Sequence, residues 1–203
     1  RDRSPSRGLG DVYKRQSSTS TSKDSTRTLA VIESDAKSVE KSVAALQETG
    51  DKSLFNEVTK TDENGNKTTG YDTDAIYKAV KNFTDSYNSL IDEVGNSNTK
   101  SILRAGASMV NVTEANRKSL SDIGISIGAD NKLTIDEEKF KKADMSKVKA
   151  MFADNSYYGT EVKRQAGRAE SYAKSEAAKA NTYQKSGSYT YNYRTGELYN
   201  STI

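Results

Sequence analysis

Two stretches of the chain carry apolar residues at alternating spacings of three and four. Leu29, Ile32, Ala36, Val39, Val43 and Leu46 form the first; Ile76, Val80, Phe83, Tyr87, Leu90 and Val94 form the second. On a helix of 3.6 residues per turn each set falls on one stripe, so each predicts an amphipathic helix with a heptad-like seam. Gly50 and Gly95 stand where these helices would stop, since glycine takes the left-handed conformation without a Cβ clash. Asp72 or Asp74 would cap the second helix. Each seam hides a stripe that water would otherwise wet, at about 25 cal/mol per Å². The two are therefore expected to pair antiparallel, as an intramolecular core rather than an intermolecular coiled coil, with Ala36 shortening the reach of the first ridge.

A period of two marks other segments. Ile123, Ile125 and Ile127 alternate with Gly124 and Ser126, and Leu133 and Ile135 alternate around Thr134. Between them Gly128-Ala-Asp-Asn131 supplies turn residues, which predicts a short hairpin. Asp136 can cap a following helix whose first turn holds Glu137 and Glu138. Asp144 can cap a second one carrying Val148, Met151 and Phe152. A further hairpin is expected from residues 54–60 and 66–71 around Asp62-Glu-Asn-Gly65. Residues 97–118 read as helix, although Gly106 costs about 1 kcal/mol relative to Ala in a helix interior. Residues 160–183 carry Val162, Ala166, Ala169, Ala173, Ala177, Ala180 and Tyr183 on one side, a stripe of small residues that needs a partner. The end of the chain alternates Tyr189, Tyr191 and Tyr193, an extended or disordered tail that could contact a partner.

The string from Leu120 to Phe140, LSDIGISIGADNKLTIDEEKF, continuing to Met151-Phe152, resembles the signature near the C-terminus of the flagellar hook-associated protein 2 family, the filament cap. Phe83-Thr-Asp-Ser-Tyr-Asn-Ser-Leu-Ile91 is similar to a helix of the same family. The resemblance spans roughly residues 71–153, with Ile123, Gly124, Ile125, Leu133, Ile135 and Asp136 as its hairpin positions. It implies a non-enzymatic structural protein outside the cell, exported through the flagellar secretion apparatus without cleavage. Its implied partners are flagellin or other flagellar subunits, with a homo-oligomeric ring as the family's usual assembly and filament assembly or adhesion as its task. The chain departs from the family at both ends: it lacks a structured N-terminal helix in residues 1–28, and it closes on a Tyr-rich tail.

Composition narrows the function classes. Hydrophobic residues make up 33% of the 203, charged residues 29%, and Trp, Cys and His are absent. This suits helices that each bury a narrow stripe, so the fold class is mainly α, an elongated helical bundle with two small β-hairpins. Residues 1–16 contain five basic and two acidic side chains and hold the whole net charge of +3, which leaves no basic footprint for nucleic acid. That block resembles adapter read-through at the ends of environmental sequence fragments and is set aside, with a disordered basic arm as the alternative. No apolar run approaches the roughly 20 residues that span a bilayer.

Without His or Cys, zinc sites, Ser-His-Asp triads and Cys-His dyads are excluded by inventory. Asp136, Glu137 and Glu138 are explained by capping rather than acid–base work. The segment ending at Glu137 lacks the early oxygen ligands of a calcium loop, and Gly65-Asn-Lys-Thr-Thr-Gly70 lacks the lysine of a phosphate loop. No cofactor and no enzymatic activity are expected. The expected organisation is an arm over residues 1–28, a bundle with two hairpins over 29–155, an Ala-rich helix over 156–185 and the tail over 186–203. A cytoplasmic coiled-coil adaptor unrelated to motility is the alternative function.

Overall fold

A computed structural model describes residues 22–180. The long helices are α1 (Thr26–Leu46), α2 (Thr73–Gly95), α3 (Lys100–Ala115) and α7 (Tyr157–Ala180). Between them lie β1 (Glu57–Thr61), β2 (Lys67–Tyr71), α4 (Arg117–Asp122), β3 (Ile125–Ile127), β4 (Leu133–Ile135), α5 (Glu137–Lys142) and α6 (Met145–Phe152). The protein is mainly α with two separate antiparallel two-stranded sheets, as its periodicities predict.

The four long helices close a ring of neighbours. α1 packs on α2 and α7, and α3 packs on α2 and α7. The direction of each pair follows from its cross-contacts. Gln47 Nε2 donates to Thr160 Oγ1 at 3.0 Å while Lys37 Nζ lies 3.8 Å from Glu170, so α1 and α7 run antiparallel. Asp24, just ahead of α1, bonds to Ser97 and Thr99 beyond the end of α2, which makes that pair antiparallel too. The result is an up-down-up-down bundle. The α1 and α2 seams do face each other, but α1 packs even more extensively on α7. All twelve seam residues, Ala36 included, are buried in the shared core.

Capping explains most boundaries. Ser25 accepts a hydrogen bond from Thr28 N, so α1 starts at Thr26, inside the stretch 1–28 expected to be an unstructured arm. Asp72, Asp136 and Asp144 accept from Ala75, Lys139 and Ser146 N respectively, as their positions predict. The glycine stops differ from expectation. α1 ends at Leu46 with Gln47 as its C-cap, and Gly50, at φ 64°, instead opens a 3-10 turn over Gly50–Lys52. Gly95 remains helical and Asn96 is the C-cap of α2. The helix expected through residue 118 breaks at Asn116, whose Nδ2 turns back to Val112 O at 2.8 Å.

Gly106 reverses its sequence-based meaning. A Cβ at this buried position would stand 2.4 Å from Val94 Cγ1, so the glycine lets the α3 backbone sit directly against the Val94 side chain of α2. Close packing outweighs the local helix cost, because a methyl group here has nowhere to go. Gly106→Ala, favourable in an isolated helix, is therefore expected to destabilise the protein by about 1–3 kcal/mol, read as a lower urea midpoint. An unchanged or raised midpoint contradicts this packing.

Candidate functional site

Three built features stand out: an aromatic layer in the bundle, the β3–β4 unit docked on its flank, and the β1–β2 hairpin with its exposed first strand. The layer centres on Phe83 of α2. Its ring lies 5.2 Å from Phe152 of α6 and 6.1 Å from Tyr158 of α7, both edge-on, and 6.0 Å from Tyr87. Phe152 and Tyr158 are also edge-on at 5.7 Å. Such pairs contribute roughly 0.5–1.5 kcal/mol each beyond their buried area. The Tyr158 hydroxyl pairs with Thr113 Oγ1 at 3.1 Å, and burial raises its phenol well above the ordinary value. Burial likewise pushes Tyr87 up to about 12, with Thr113 opposing, so both rings stay neutral. Tyr158 carried no sequence signal of its own; only its one-turn offset from Val162 could have placed it on the core face.

The second hairpin is fastened to α2 through backbone. Asn88 Nδ2 donates to Leu133 O at 2.8 Å and Leu133 N donates to Asn88 Oδ1 at 2.7 Å, a two-point grip on β4. The register pairs Ile125 with Ile135 and Ile127 with Leu133. Ile123 does not belong to the strand as expected. It caps α4 at the C-terminal side, and Gly124, at φ 82°, turns the chain into β3. A Cβ at Gly124 would meet Phe140 N at 2.9 Å, which explains glycine at this family-like position on two counts. Ile123, Ile125 and Leu133 are buried, Ile135 is partly so, and Asp136 caps α5. Lys141 then clamps α5 to α2, reaching Asp74 at 2.9 Å and Glu137 at 2.6 Å with its ammonium 5.2 Å from the centre of the Tyr77 ring.

The β1–β2 hairpin stands apart. Its register runs from Glu57–Tyr71 to Thr61–Lys67, and all of β1 is exposed, Val58 included. Asp62 organises the turn by accepting from Asn64 N, Asn66 N and Asn66 Nδ2, which holds its carboxyl below the ordinary value. Gly65 sits at φ 82°. Tyr189, Tyr191 and Tyr193, expected as partner contacts, lie outside the described residues. Among the described residues no three of His, Cys, Asp or Glu come together in a group that could hold a metal ion. No described helix is long and apolar enough to cross a membrane.

A four-helix core with a hairpin unit clamped along α2 places the chain in the class of antiparallel helical bundles. Residues 97–202, a little over half of the chain, match the family described as flagellar hook-associated protein 2 C-terminus, and the chain belongs to that family. The match runs from α3 through the β3–β4 unit to α7 and takes in the Leu120–Phe140 string and Met151-Phe152 that carry the resemblance in the sequence, whereas Phe83–Ile91, in α2, lies ahead of it. No curated protein and no solved structure matches the chain.

At the bundle end where α1 begins, Asp24 ties three segments together. Its carboxylate accepts from Ser97 Oγ at 2.6 Å, Asn98 N at 2.5 Å and Thr99 Oγ1 at 2.6 Å. Burial works against the ionised form, but these hydrogen bonds together outweigh it and hold the carboxyl below its ordinary 3.8. The stability Asp24 contributes is thus present above that value and lost as pH falls through the lower folded value. Asp24→Asn is expected to lower the urea midpoint at pH 7 and to flatten the acid loss below about pH 4. Equal acid sensitivity in both proteins contradicts the assignment.

Proposed function

We propose that this protein is a non-enzymatic, extracellular structural component of the flagellum that works as a filament-cap-like module, in filament assembly or adhesion. The observation that carries the proposal is that the family match and the β3–β4 unit coincide. The family region is the part of the chain in which a hairpin, two short helices and α7 are locked onto the bundle by Asn88, Lys141 and the Phe83 layer. A rigid body of this kind fits a task in which surfaces position other subunits. Its partners are flagellin or other flagellar subunits, and copies of the chain associate with one another around the filament end. The β1–β2 hairpin, exposed along β1 and the first three residues of β2, is the contact element ahead of the family region. Buried seam residues such as Leu29, Val43, Phe83 and Leu90 hold the bundle that presents these surfaces and do not contact subunits themselves.

Expression of the full chain in a flagellated bacterium lacking its own cap protein tests this. The expected outcome is export of the chain into the medium and its labelling at filament tips, with filament length at least partly restored. Retention of all the protein in the cytoplasm, with no effect on filaments, supports the adaptor alternative instead.

A further inference from the structure

The α1–α7 seam contains two facing carboxylates. Glu40 of α1 lies across α7 at Gly167, where a Cβ would come within 2.5 Å of Glu40 Oε1. Glu40 and Glu170 line one open cleft between the two helices together with Lys37, Lys41, Ala44 and Lys163. Glu170 also accepts a hydrogen bond from Lys174 and lies 3.8 Å from Lys37 Nζ. Both carboxylates are half-buried, and the missing side chain at residue 167 leaves the space that Glu40 Oε1 occupies against α7, about one turn from Glu170. Two carboxylates lining one cleft repel when both are ionised, and one proton between them turns repulsion into a hydrogen bond.

We propose that Glu40 and Glu170 share a proton across the α1–α7 seam and make the grip of α7 on the bundle pH-dependent, tightest in mild acid and looser toward neutrality. The charges facing the pair are Glu33, Lys37 and Lys41 on α1 and Lys163 and Lys174 on α7; the cleft has no lining residue from α2 or α3. Burial, then the hydrogen bond and charge of Glu170, raise Glu40 above its ordinary 4.5 against the pull of Lys163 and Lys174. Glu170 moves the other way: hydrogen bonds from Lys174 and Glu40 lower it despite its burial. The sign of each effect follows. A raised Glu40 favours the folded seam at low pH, and that contribution is lost as pH rises from 4.5 through the raised value. A lowered Glu170 favours it at higher pH, and that contribution is lost as pH falls below 4.5. Together they place the tightest seam where the pair holds one proton. α7 is sensitive to this because its buried stripe past Val162 is mostly alanine, namely Ala166, Ala169 and Ala173, and offers little apolar area to hold it otherwise.

Hydrogen exchange of the α7 amides past Gly167 in the full chain, corrected for intrinsic rates, measures this opening between pH 4.5 and 7. The opening constant is expected to rise roughly threefold to tenfold over that range in the wild type. In Glu40→Gln, where an amide donates to Glu170 without titrating, it should stay near the mild-acid value throughout. Glu170→Gln gives a second arm, in which the increase toward neutrality shrinks because Glu40 no longer faces a carboxylate. A pH-independent wild type, or a Glu40→Gln variant that opens in parallel with the wild type, overturns the proposal.

Discussion

The structure depends on α7 closing the bundle. α1 and α2 each carry an apolar stripe, and two helices alone would leave half of each stripe wet. The third and fourth sides are supplied by α3 and by α7, whose Val162, Ala166, Ala169 and Ala173 are all buried. Small side chains let neighbouring helices come close, and at two places a side chain of the facing helix fills the space a Cβ would need: Val94 at Gly106, and Glu40 at Gly167. A narrow stripe is sufficient because the partner backbones come near it.

Everything functional hangs on that closed core. The short helix α6 reaches the core through Phe152, which contacts both Phe83 and Tyr158. The β3–β4 hairpin is too small to be stable alone, and it gains order from the paired hydrogen bonds with Asn88 and from Phe140, which meets Tyr77 at 5.9 Å. Opposite-charge clamps such as Lys141 lie at the surface and orient elements more than they stabilise them. The β1–β2 hairpin is held only at its base, by buried Phe55, by Tyr71 against the core and by Lys60, which pairs with Asp72 at 3.2 Å. Rigidity and exposure are thus divided between two hairpins of similar size.

Much of this was legible along the chain, for reasons specific to each residue. The seams of α1 and α2 were readable because their 3-4 spacing runs unbroken for about five turns, and the caps Asp72, Asp136 and Asp144 because a short carboxylate ahead of an apolar period has few other uses. The glycines were not, since Gly50, Gly95 and Gly106 look alike in the sequence, whereas Gly50 takes a positive φ, Gly95 stays helical and Gly106 alone meets a neighbouring side chain. Ile123 was assigned to the strand by its alternation with Ile125, which cannot sense that Gly124 turns the chain between them. The contacts of Phe83 with Phe152 and Tyr158 and the shared cleft of Glu40 and Glu170 were invisible for a plainer reason: they join residues more than sixty positions apart, and only the closing of the bundle by α6 and α7 brings them together.

That closure is open to a direct measurement. Ala169 lies wholly inside the bundle, and Ala169→Asp places an unpaired carboxylate there without touching α1, α2 or α3 covalently. Residue-resolved hydrogen exchange at pH 5 is expected to show loss of protection in the variant along α1 and α3 as well as α7, because the three share one core. If α1 to α3 keep wild-type protection while α7 alone exchanges freely, α7 is an accessory to the fold and this account of the bundle is wrong.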